Sequence, residues 1–396
     1  MSGASPGTLS AARPLLPGAT IGIFGGGQLG RMMAMAARGM GYRILVLDPD
    51  PGCPARFVVD GCIEAAWDDS RGAAMLARGC DVVTLEIEQI GAASMASAAT
   101  FCPVRPGGAM LAIIQDRIEQ KQWLAKHGFP IGDFRAVRSL EEVRAAIAEY
   151  GRCFAKSATG GYDGRGQGRV GFGPTPAGEA EVQAAWEALG EGPGVVERAV
   201  ELEREISVMV ARSPRGEVKV YPAAWNHHVQ QILDWSVIPA PITTAMEQKA
   251  REIAAEIADT FALEGLLAVE MFVTTEGELL INELAPRPHN SYHESERACV
   301  TSQFEQAIRA VCDLPLGDVD VVQPAAIANL LGDLWIAEDG SPREVCFDKA
   351  LAVDGVRLHL YEKLKPRKGR KMGHLSAVGA TADEAVERVL RAKAAL

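Results

Sequence analysis

Apolar residues fall along this chain in two rhythms: short unbroken runs bounded by glycine, and helical stripes between them. The first run, Thr20–Phe24, predicts a buried strand. It feeds Gly25-Gly26-Gly27-Gln28-Leu29-Gly30 and a helix to about residue 40. A strand at 43–47 ends at Asp48, and another at 81–87 follows an apolar helix around 73–77. Strand and helix in alternation mean a doubly wound parallel sheet. Turn residues at 103–108 mark a boundary. Beyond it the pattern predicts helices at 115–127 and 140–150, ended by Gly128 and Pro130 in the first case. A strand at 153–156, a glycine-rich loop, a strand at 168–171, a helix at 177–189 and a strand at 194–198 follow. Strands at 205–210 and 218–223 straddle the turn 213–216, and a long helix covers 246–261. After Asp313 the chain becomes strand-rich, with runs at 325–331 and 355–361. The division expected is an arm, 1–17; a first domain, 18–114; a central domain, 115–313, with a subdomain at about 150–210; and a C-terminal domain, 314–396.

Residues 266–284 read LLAVEMFVTTEGELLINEL, two apolar runs joined at Glu276-Gly277. This is a hairpin signal. With those two residues as the turn, Thr275 pairs with Glu278 and Glu270 lies opposite Glu283. Like charges paired across a hairpin sit about 5 Å apart at Cβ and repel. A Mg²⁺ ion between them would reverse the sign, since hard cations take carboxylate oxygens. A one-residue slip or a bulge would instead separate the two side chains.

Composition narrows the classes. Hydrophobic residues make up 48% of 396 and charged residues 23%, an ordinary globular balance. The net charge of −11 argues against a general nucleic-acid surface, which needs a basic face. Eight cysteines stand apart with no Cys-x-x-Cys pair, which speaks against zinc and for reduced thiols in a cytosolic enzyme. The first residues lack the charged start and apolar core of a secretory signal. No window approaches the roughly 20 apolar residues of a membrane span.

Two glycine-rich segments are candidates for anion binding. Gly25-x-Gly27-x-x-Gly30 with Asp48 downstream has the form of a dinucleotide fingerprint, but such a turn also serves close helix–strand packing. The second segment is Lys156-Ser-Ala-Thr-Gly160-Gly161-Tyr162-Asp163-Gly164-Arg165-Gly166-Gln167-Gly168. Its glycines let backbone N–H groups turn toward a phosphate, and Lys156 adds a point charge. A flexible hairpin tip would not need lysine, arginine, aspartate and tyrosine together. Glu197-Arg198-Ala199-Val200, then Glu205, would alone pass for surface charge.

The order of these parts resembles the ATP-grasp superfamily: Arg117, Lys156 before its loop, Glu197 to Val200 with Glu205, then Glu270, Asn282 and Glu283. Within it the chain is similar to the 5-(carboxyamino)imidazole ribonucleotide synthetase family of purine biosynthesis. The stretches that carry the likeness are GGGQLGRM at 25–32, TLEIEQI at 84–90, DRIEQKQ at 116–122, GGYDGRGQ at 160–167, NELAPRPHNS at 282–291 and GRKMGH at 369–374. The resemblance implies an α/β protein, α+β in part: an ATP-grasp fold with an N-terminal doubly wound parallel-sheet domain and a small strand-rich C-terminal domain. It implies a ligase that phosphorylates bicarbonate with ATP to carboxyphosphate, then carboxylates 5-aminoimidazole ribonucleotide. Glu270 and Glu283 would hold Mg²⁺, with Mn²⁺ as a substitute. Arg117 and Lys156 would address the ATP phosphates. Gly161, Tyr162, Asp163, Gly164, Arg165, Gly166 and Gln167 would form the lid. Glu197, Arg198, Ala199, Val200, Glu205, His228 and Asn282 would complete the nucleotide site, whereas His227 has no family counterpart. Tyr162, Asp163, Arg287, His289, Asn290 and Ser291 would meet the imidazole substrate, and Lys363, Arg370 and Lys371 its phosphate. Arg287, Lys156 and Glu283 are the candidate catalytic residues. Glu86 or Glu88 would reach the substrate from the first domain. A cytoplasmic homodimer is the expected form.

Rival readings stay open on the sequence. A different ATP-grasp carboxylase, or a formate-dependent glycinamide ribonucleotide transformylase, would use another acceptor. A dinucleotide-dependent oxidoreductase would rest on Gly25 to Gly30 alone. A regulator with this fold would bind nucleotide without turnover.

Overall fold

The computed structural model describes residues 13–161, 166–173 and 176–396. The lid residues Tyr162, Asp163, Gly164 and Arg165 and most of the N-terminal arm lie outside the described residues.

The first domain is a parallel sheet in which Thr20–Phe24 lies between Arg43–Asp48 and Val82–Leu85, with Gly61–Glu64 at one edge. The pattern missed Gly61–Glu64, a four-residue edge strand whose side chains are none of them buried. Helices Gln28–Gly39 and Ser70–Arg78 cover the sheet, their apolar faces turned inward. Two further helices, Ala92–Ala99 and Gly108–Gln115, carry the chain to the central part. The expected 115–127 helix runs from Arg117 to Lys126. Its side-chain cap, Asp116, accepts from the backbone N–H groups of Ile118 and Glu119. That cap satisfies helix-start donors and sets Arg117 on the first turn.

A four-stranded antiparallel sheet forms the subdomain: Phe134–Val137, Gly194–Arg198, Cys153–Ser157 and Gln167–Val170, in that order. Helices Leu140–Tyr150 and Glu179–Ala188 pack their apolar faces on it. The pairing of Cys153–Ser157 with Gln167–Val170 sets the two ends of the glycine-rich segment side by side.

The central sheet has nine strands among the described residues. Its path runs Leu279–Ala285, Gly265–Thr274, Leu202–Arg212, Ala224–Val229, Ile232–Ile238, Ala325–Leu331, Lys371–Val378, Val356–Leu360, with Val218–Val220 paired to Leu202–Arg212. The C-terminal strands therefore extend the central sheet. Alternation along Leu202–Arg212 shows how the sheet is used. Ile206, Val208 and Val210 face the core under helix Thr244–Thr260. Met209 and Ala211 face the first domain, and Glu205 and Ser207 share their side of the strand.

Several expectations are corrected here. The strand expected at 218–223 stops at Val220, and the hairpin Ala224–Val229/Ile232–Ile238 was not foreseen. Its sequence AWNHHV breaks apolar alternation because one face serves a polar cleft. Lys371–Val378 is a buried strand where the sequence showed the end of a basic run. Helices Gln303–Val311 and Ala382–Ala394 were likewise not foreseen. No helix among the described residues is long and apolar enough to cross a membrane.

Candidate active site

The hairpin Gly265–Thr274/Leu279–Ala285 brings Glu270 opposite Glu283, but by a different route from the one the sequence predicts. Thr274, not Thr275, pairs with Glu278, its N–H donating to the Glu278 carbonyl at 3.0 Å. The loop is thus Thr275-Glu276-Gly277, with Gly277 at a φ of +82° that glycine adopts without strain. This longer loop shifts the register by one, so Met271 pairs with Ile281. A β-bulge at Asn282 shifts it back and restores Glu270 to Glu283. The bulge also changes which side the chain shows. Leu279 and Ile281 point into the core, then Leu284 does, so Asn282 and Glu283 stand consecutively toward the cleft. Bulges re-aim side chains in this way next to active sites.

The cleft is a cavity of about 1140 Å³ between the first domain, the subdomain and the central sheet. Four cations, five carboxylates and two imidazoles meet around it. Lys156 Nζ lies 2.9 Å from Glu197 Oε2 and 3.3 Å from Asn282 Oδ1. Lys121 Nζ lies 3.6 Å from Glu197 Oε1. Arg117 reaches Glu283 at 3.2 Å and Arg287 reaches Glu88 at 2.6 Å. His289 Nε2 lies 3.1 Å from Glu270 Oε1, and His228 Nδ1 lies 2.9 Å from Glu205 Oε2.

The charges act on one another. Burial pushes Glu197 up, but Lys156, Lys121 and Arg117 outweigh it and hold the carboxyl at about 2. Burial and the facing Glu283 push Glu270 up to about 7. Glu283, buried too, is held below the ordinary range by Arg117 and Lys156. Burial drives Lys121 down to about 8, with Lys156 and Arg117 adding to the effect against Glu197. Burial depresses His228, but the hydrogen bond and charge of Glu205 reverse this and raise it. Burial and the charge of Arg287 lower His289 well below its ordinary value.

Most expected site residues line this one cavity. They include Arg117, Lys156, Gly161, Gln167, Glu205, His228, Glu270, Asn282 and Glu283, the run Glu197 to Val200, and Arg287, His289, Asn290 and Lys371. Gly166 turns at φ +69°, and its carbonyl accepts from the Ser157 N–H. Ser291 is not at the cavity surface. It is buried beneath His289, its Oγ 2.8 Å from His289 Nδ1. Lys363 and Arg370 also lie off the lining. Lys363 donates to the Lys371 carbonyl at 2.8 Å, so it stands beside the buried lysine that does reach the cleft. His227 is exposed and stacks on Trp235. Asn290 has both amide atoms buried with no hydrogen-bond partner in the protein among the described residues. A buried amide left unpaired costs free energy, and a ligand would relieve that cost.

Two residues were missed or left undecided. Lys121 was not singled out, although it stands four residues after Arg117, a spacing that shares one helix face. Between Glu86 and Glu88, only Glu88 lines the cleft. Glu86 is buried under the first glycine-rich turn and accepts from the N–H groups of Gly27 at 2.8 Å and Gly30 at 3.0 Å. Asp48 accepts from Gly26 at 2.7 Å. The turn's anion position is thus filled by the protein's own carboxylates, which removes the basis for a dinucleotide there. A Cβ on Gly27 would sit 2.6 Å from Glu86 Oε1. Gly27→Ala is expected to lower stability by about 1–3 kcal/mol in denaturant titration, the usual effect of overpacking. A loss below about 0.5 kcal/mol, the scale of an ordinary surface change, would show that Glu86 is not held there.

Away from the cleft, Glu296, His359 and His374 bring candidate ligand atoms within 4.8 Å of one another. A tetrahedral ion bonded at about 2.1 Å needs its donors about 3.4 Å apart. The His359 and His374 rings stack at 5.0 Å with 12° between planes, so this group packs as stacked imidazoles.

Comparison with known proteins agrees with this layout. Residues 18–115 match the ribonucleotide synthetase preATP-grasp domain, 122–304 the ATP-grasp domain, and 325–388 the phosphoribosylaminoimidazole carboxylase C-terminal domain. The chain is 41% identical over 365 residues to N5-carboxyaminoimidazole ribonucleotide synthase of Brucella melitensis, covering 92% of this chain and 97% of that one. It superposes on a crystal structure of an N5-carboxyaminoimidazole ribonucleotide synthetase–ADP complex with a TM-score of 0.88, at 41% identity over 97% of this chain and 98% of that one. The N5-carboxyaminoimidazole synthase of Aspergillus clavatus, solved with ADP and 5-aminoimidazole ribonucleotide, gives 0.85 at 28% identity over 96% and 98%. By fold, domain content and sequence, the chain belongs to the N5-carboxyaminoimidazole ribonucleotide synthase family of ATP-grasp enzymes.

Proposed function

We propose that this ligase uses ATP and bicarbonate to carboxylate the amino group of 5-aminoimidazole ribonucleotide, releasing ADP and phosphate. The observation that carries the substrate side is Asn290, a buried amide without a protein partner among the described residues, at the wall of a cavity that also holds Arg287 and His289. A bicarbonate oxygen attacks the γ-phosphorus and the bond to ADP breaks, giving carboxyphosphate. The substrate's amine then attacks the carboxyl carbon, the carbon–oxygen bond breaks, and phosphate leaves with the electron pair. The amine proton passes to phosphate or solvent.

The site's own groups fit these tasks. Arg117 and Lys156 lie on the cavity wall as cations for the ATP phosphates, where positioning and charge dominate catalysis. Lys121 joins them by holding Glu197. Glu197 to Val200, Glu205 and His228 form the nucleoside end. Two facing carboxylates with an amide between them are a hard-oxygen donor set, which suits Mg²⁺, or Mn²⁺, at Glu270 and Glu283. When bound, the cation neutralises charge on the ATP phosphates. Arg287, steered by Glu88, faces the reacting centre with His289 and Asn290. The lid is read as residues 161–167, within a subdomain at about 150–210 of a central domain taken as 115–313. We also infer a homodimer in the cytoplasm.

Lys363, Arg370 and Lys371 are read as the grip on the ribonucleotide phosphate. Arg370→Ala is expected to raise the KM for the ribonucleotide about tenfold or more, with the KM for ATP unchanged, since a charge-assisted contact is worth about 1.5–3 kcal/mol. An effect confined to ATP would remove Arg370 from this role. The function itself is tested by offering acceptors in turn with Mg-ATP and bicarbonate. ADP release stimulated by 5-aminoimidazole ribonucleotide, and not by glycinamide ribonucleotide or biotin, is the expected result. Stimulation by either of the other two would overturn the assignment.

A further inference from the structure

The cleft-side face of the central sheet carries more buried polar groups than the tasks above employ. Ser207, Asn226, Ser236 and Glu294 are all buried, and none of them lines the cavity. Such groups are costly unless hydrogen-bonded. Their partners form a file with one branch, the Ser291 carbonyl 3.0 Å from Ser236 Oγ. Glu294 Oε1 lies 2.6 Å from Ser236 Oγ, which lies 3.1 Å from Asn226 Oδ1. Asn226 Nδ2 donates to Ser207 Oγ at 3.1 Å. Ser207 Oγ meets Ser291 Oγ at 2.7 Å, and Ser291 Oγ meets His289 Nδ1 at 2.8 Å. At the far end His289 Nε2 reaches Glu270 Oε1 at 3.1 Å.

The direction of every link follows from counting protons. The Ser291 backbone N–H also points at His289 Nδ1, at 3.4 Å, and an amide only donates. Nδ1 is therefore the acceptor, and the imidazole proton sits on Nε2, toward Glu270. Ser291 spends its one hydroxyl proton on Nδ1 and accepts from Ser207, which accepts from the Asn226 amide. Asn226 Oδ1 and the Ser291 carbonyl only accept, and Ser236 has one proton for the two of them. A carboxylate at Glu294 would be a third acceptor around that hydroxyl, whereas the neutral acid donates to Ser236 and leaves its proton for the other two. Burial independently pushes the Glu294 carboxyl up to about 8.

We propose that Glu294 is a positioning residue: it heads a one-way hydrogen-bond chain through Ser236, Asn226, Ser207 and Ser291 that holds His289 as the Nε2–H tautomer and so pins one oxygen of Glu270. The other oxygen stays turned toward Asn282, 3.5 Å away. The chain is not a proton wire, because the Asn226 amide does not pass a proton on. Its link to catalysis rests on the reading of Glu270 as a magnesium ligand.

The test uses the full chain without ligands, labelled with ¹⁵N-histidine, with the His289 signal assigned by His289→Gln. Wild type and Glu294→Gln, whose amide N–H₂ still donates to Ser236, are expected to show His289 as the Nε2–H tautomer. Glu294→Leu, which removes the donor, and Asn226→Asp, which accepts from both sides, are expected to show a tautomer mixture. If Glu294→Leu does not fold, Asn226→Asp and Ser236→Ala carry the same test. An unchanged His289 spectrum in every folded variant would overturn the chain. In assays, the magnesium concentration for half-maximal rate is expected to rise about tenfold in Glu294→Leu with kcat little changed, as for outer-shell partners of metal ligands, and Glu294→Gln is expected to restore it. A tautomer change with an unaltered magnesium requirement would sink the metal reading of Glu270 and leave the chain itself standing.

Discussion

Glu283→Gln is expected to abolish turnover, by about 10³-fold or more, and to weaken magnesium-dependent ATP binding while leaving the fold intact. The argument is electrostatic. Glu270 and Glu283 face each other across the hairpin, and burial with Glu283 opposite pushes Glu270 up to about 7. A resting protein gains nothing from that arrangement; a cation between the pair does. The substituted amide keeps the shape of the side chain and removes one of the two like charges. Relief of that repulsion is offset by loss of the charge that Arg117 and Lys156 favour, so the melting temperature should change little, or fall slightly, as activity falls. Arg117 loses its charged partner in the exchange but stays close to Glu197. Steady-state kinetics with a magnesium titration, beside a thermal melt, reads both effects. Wild-type kinetics in the variant would take Glu283 out of the metal site.

Lys156→Met is the second large effect, and it has a pH signature. Glu197 sits at about 2 in the fold against an ordinary 4.5. Its carboxyl is depressed, so the group contributes stability above pH 4.5, and that contribution is lost as pH falls from 4.5 toward 2. A shift of this size corresponds to about 3 kcal/mol. Lys156, the nearer of its two lysines at 2.9 Å, supplies the largest share of the lowering. Without it, Lys121 and Arg117 remain, so the contribution shrinks without vanishing. Stability measured by denaturant at pH 7 is expected to drop by about 1–3 kcal/mol, less than for a buried pair with no other partner. Its fall between about pH 5 and 2 should be shallower than in wild type. ATP binding should weaken by about 10²-fold or more, as charge-assisted phosphate contacts are lost. A variant that keeps both its acid profile and its ATP affinity would contradict the placement of Lys156 at the phosphates.

How much of this could be read from the chain depends on the kind of signal. Apolar periodicity located three of the first domain's four strands, the strands Cys153–Ser157, Gln167–Val170 and Gly194–Arg198, and the long helix Thr244–Thr260 to within a few residues, and it missed Gly61–Glu64 and Phe134–Val137. It failed at Ala224–Val229, Ile232–Ile238 and Lys371–Val378, where residues serving the cleft or buried polar networks interrupt the alternation. The Glu270–Glu283 pairing was legible, yet two irregularities compensate behind it: a longer loop and a bulge at Asn282. Register also shifts between His227 and His228 and between Leu330 and Leu331, the latter beside Lys371. Bulges thus cluster where the sheet presents site residues, and no residue pattern announces them. Lys121 carried a usable signal in its spacing from Arg117. The grouping of Arg287, His289 and Asn290 did not: before folding, it rested on family likeness alone. Ser291 belonged to the same motif, but the fold places it behind His289 as a support.

The most direct test of the central claim follows oxygen. With ¹⁸O-labelled bicarbonate, Mg-ATP and 5-aminoimidazole ribonucleotide, the phosphate released is analysed by mass spectrometry. Attack of a bicarbonate oxygen on the γ-phosphorus, followed by carboxyl transfer to the amine, leaves one bicarbonate oxygen in each phosphate. The prediction is singly labelled phosphate, formed together with a carboxylated ribonucleotide. Phosphate that carries only solvent oxygen, released at one rate with or without the ribonucleotide, would contradict the account.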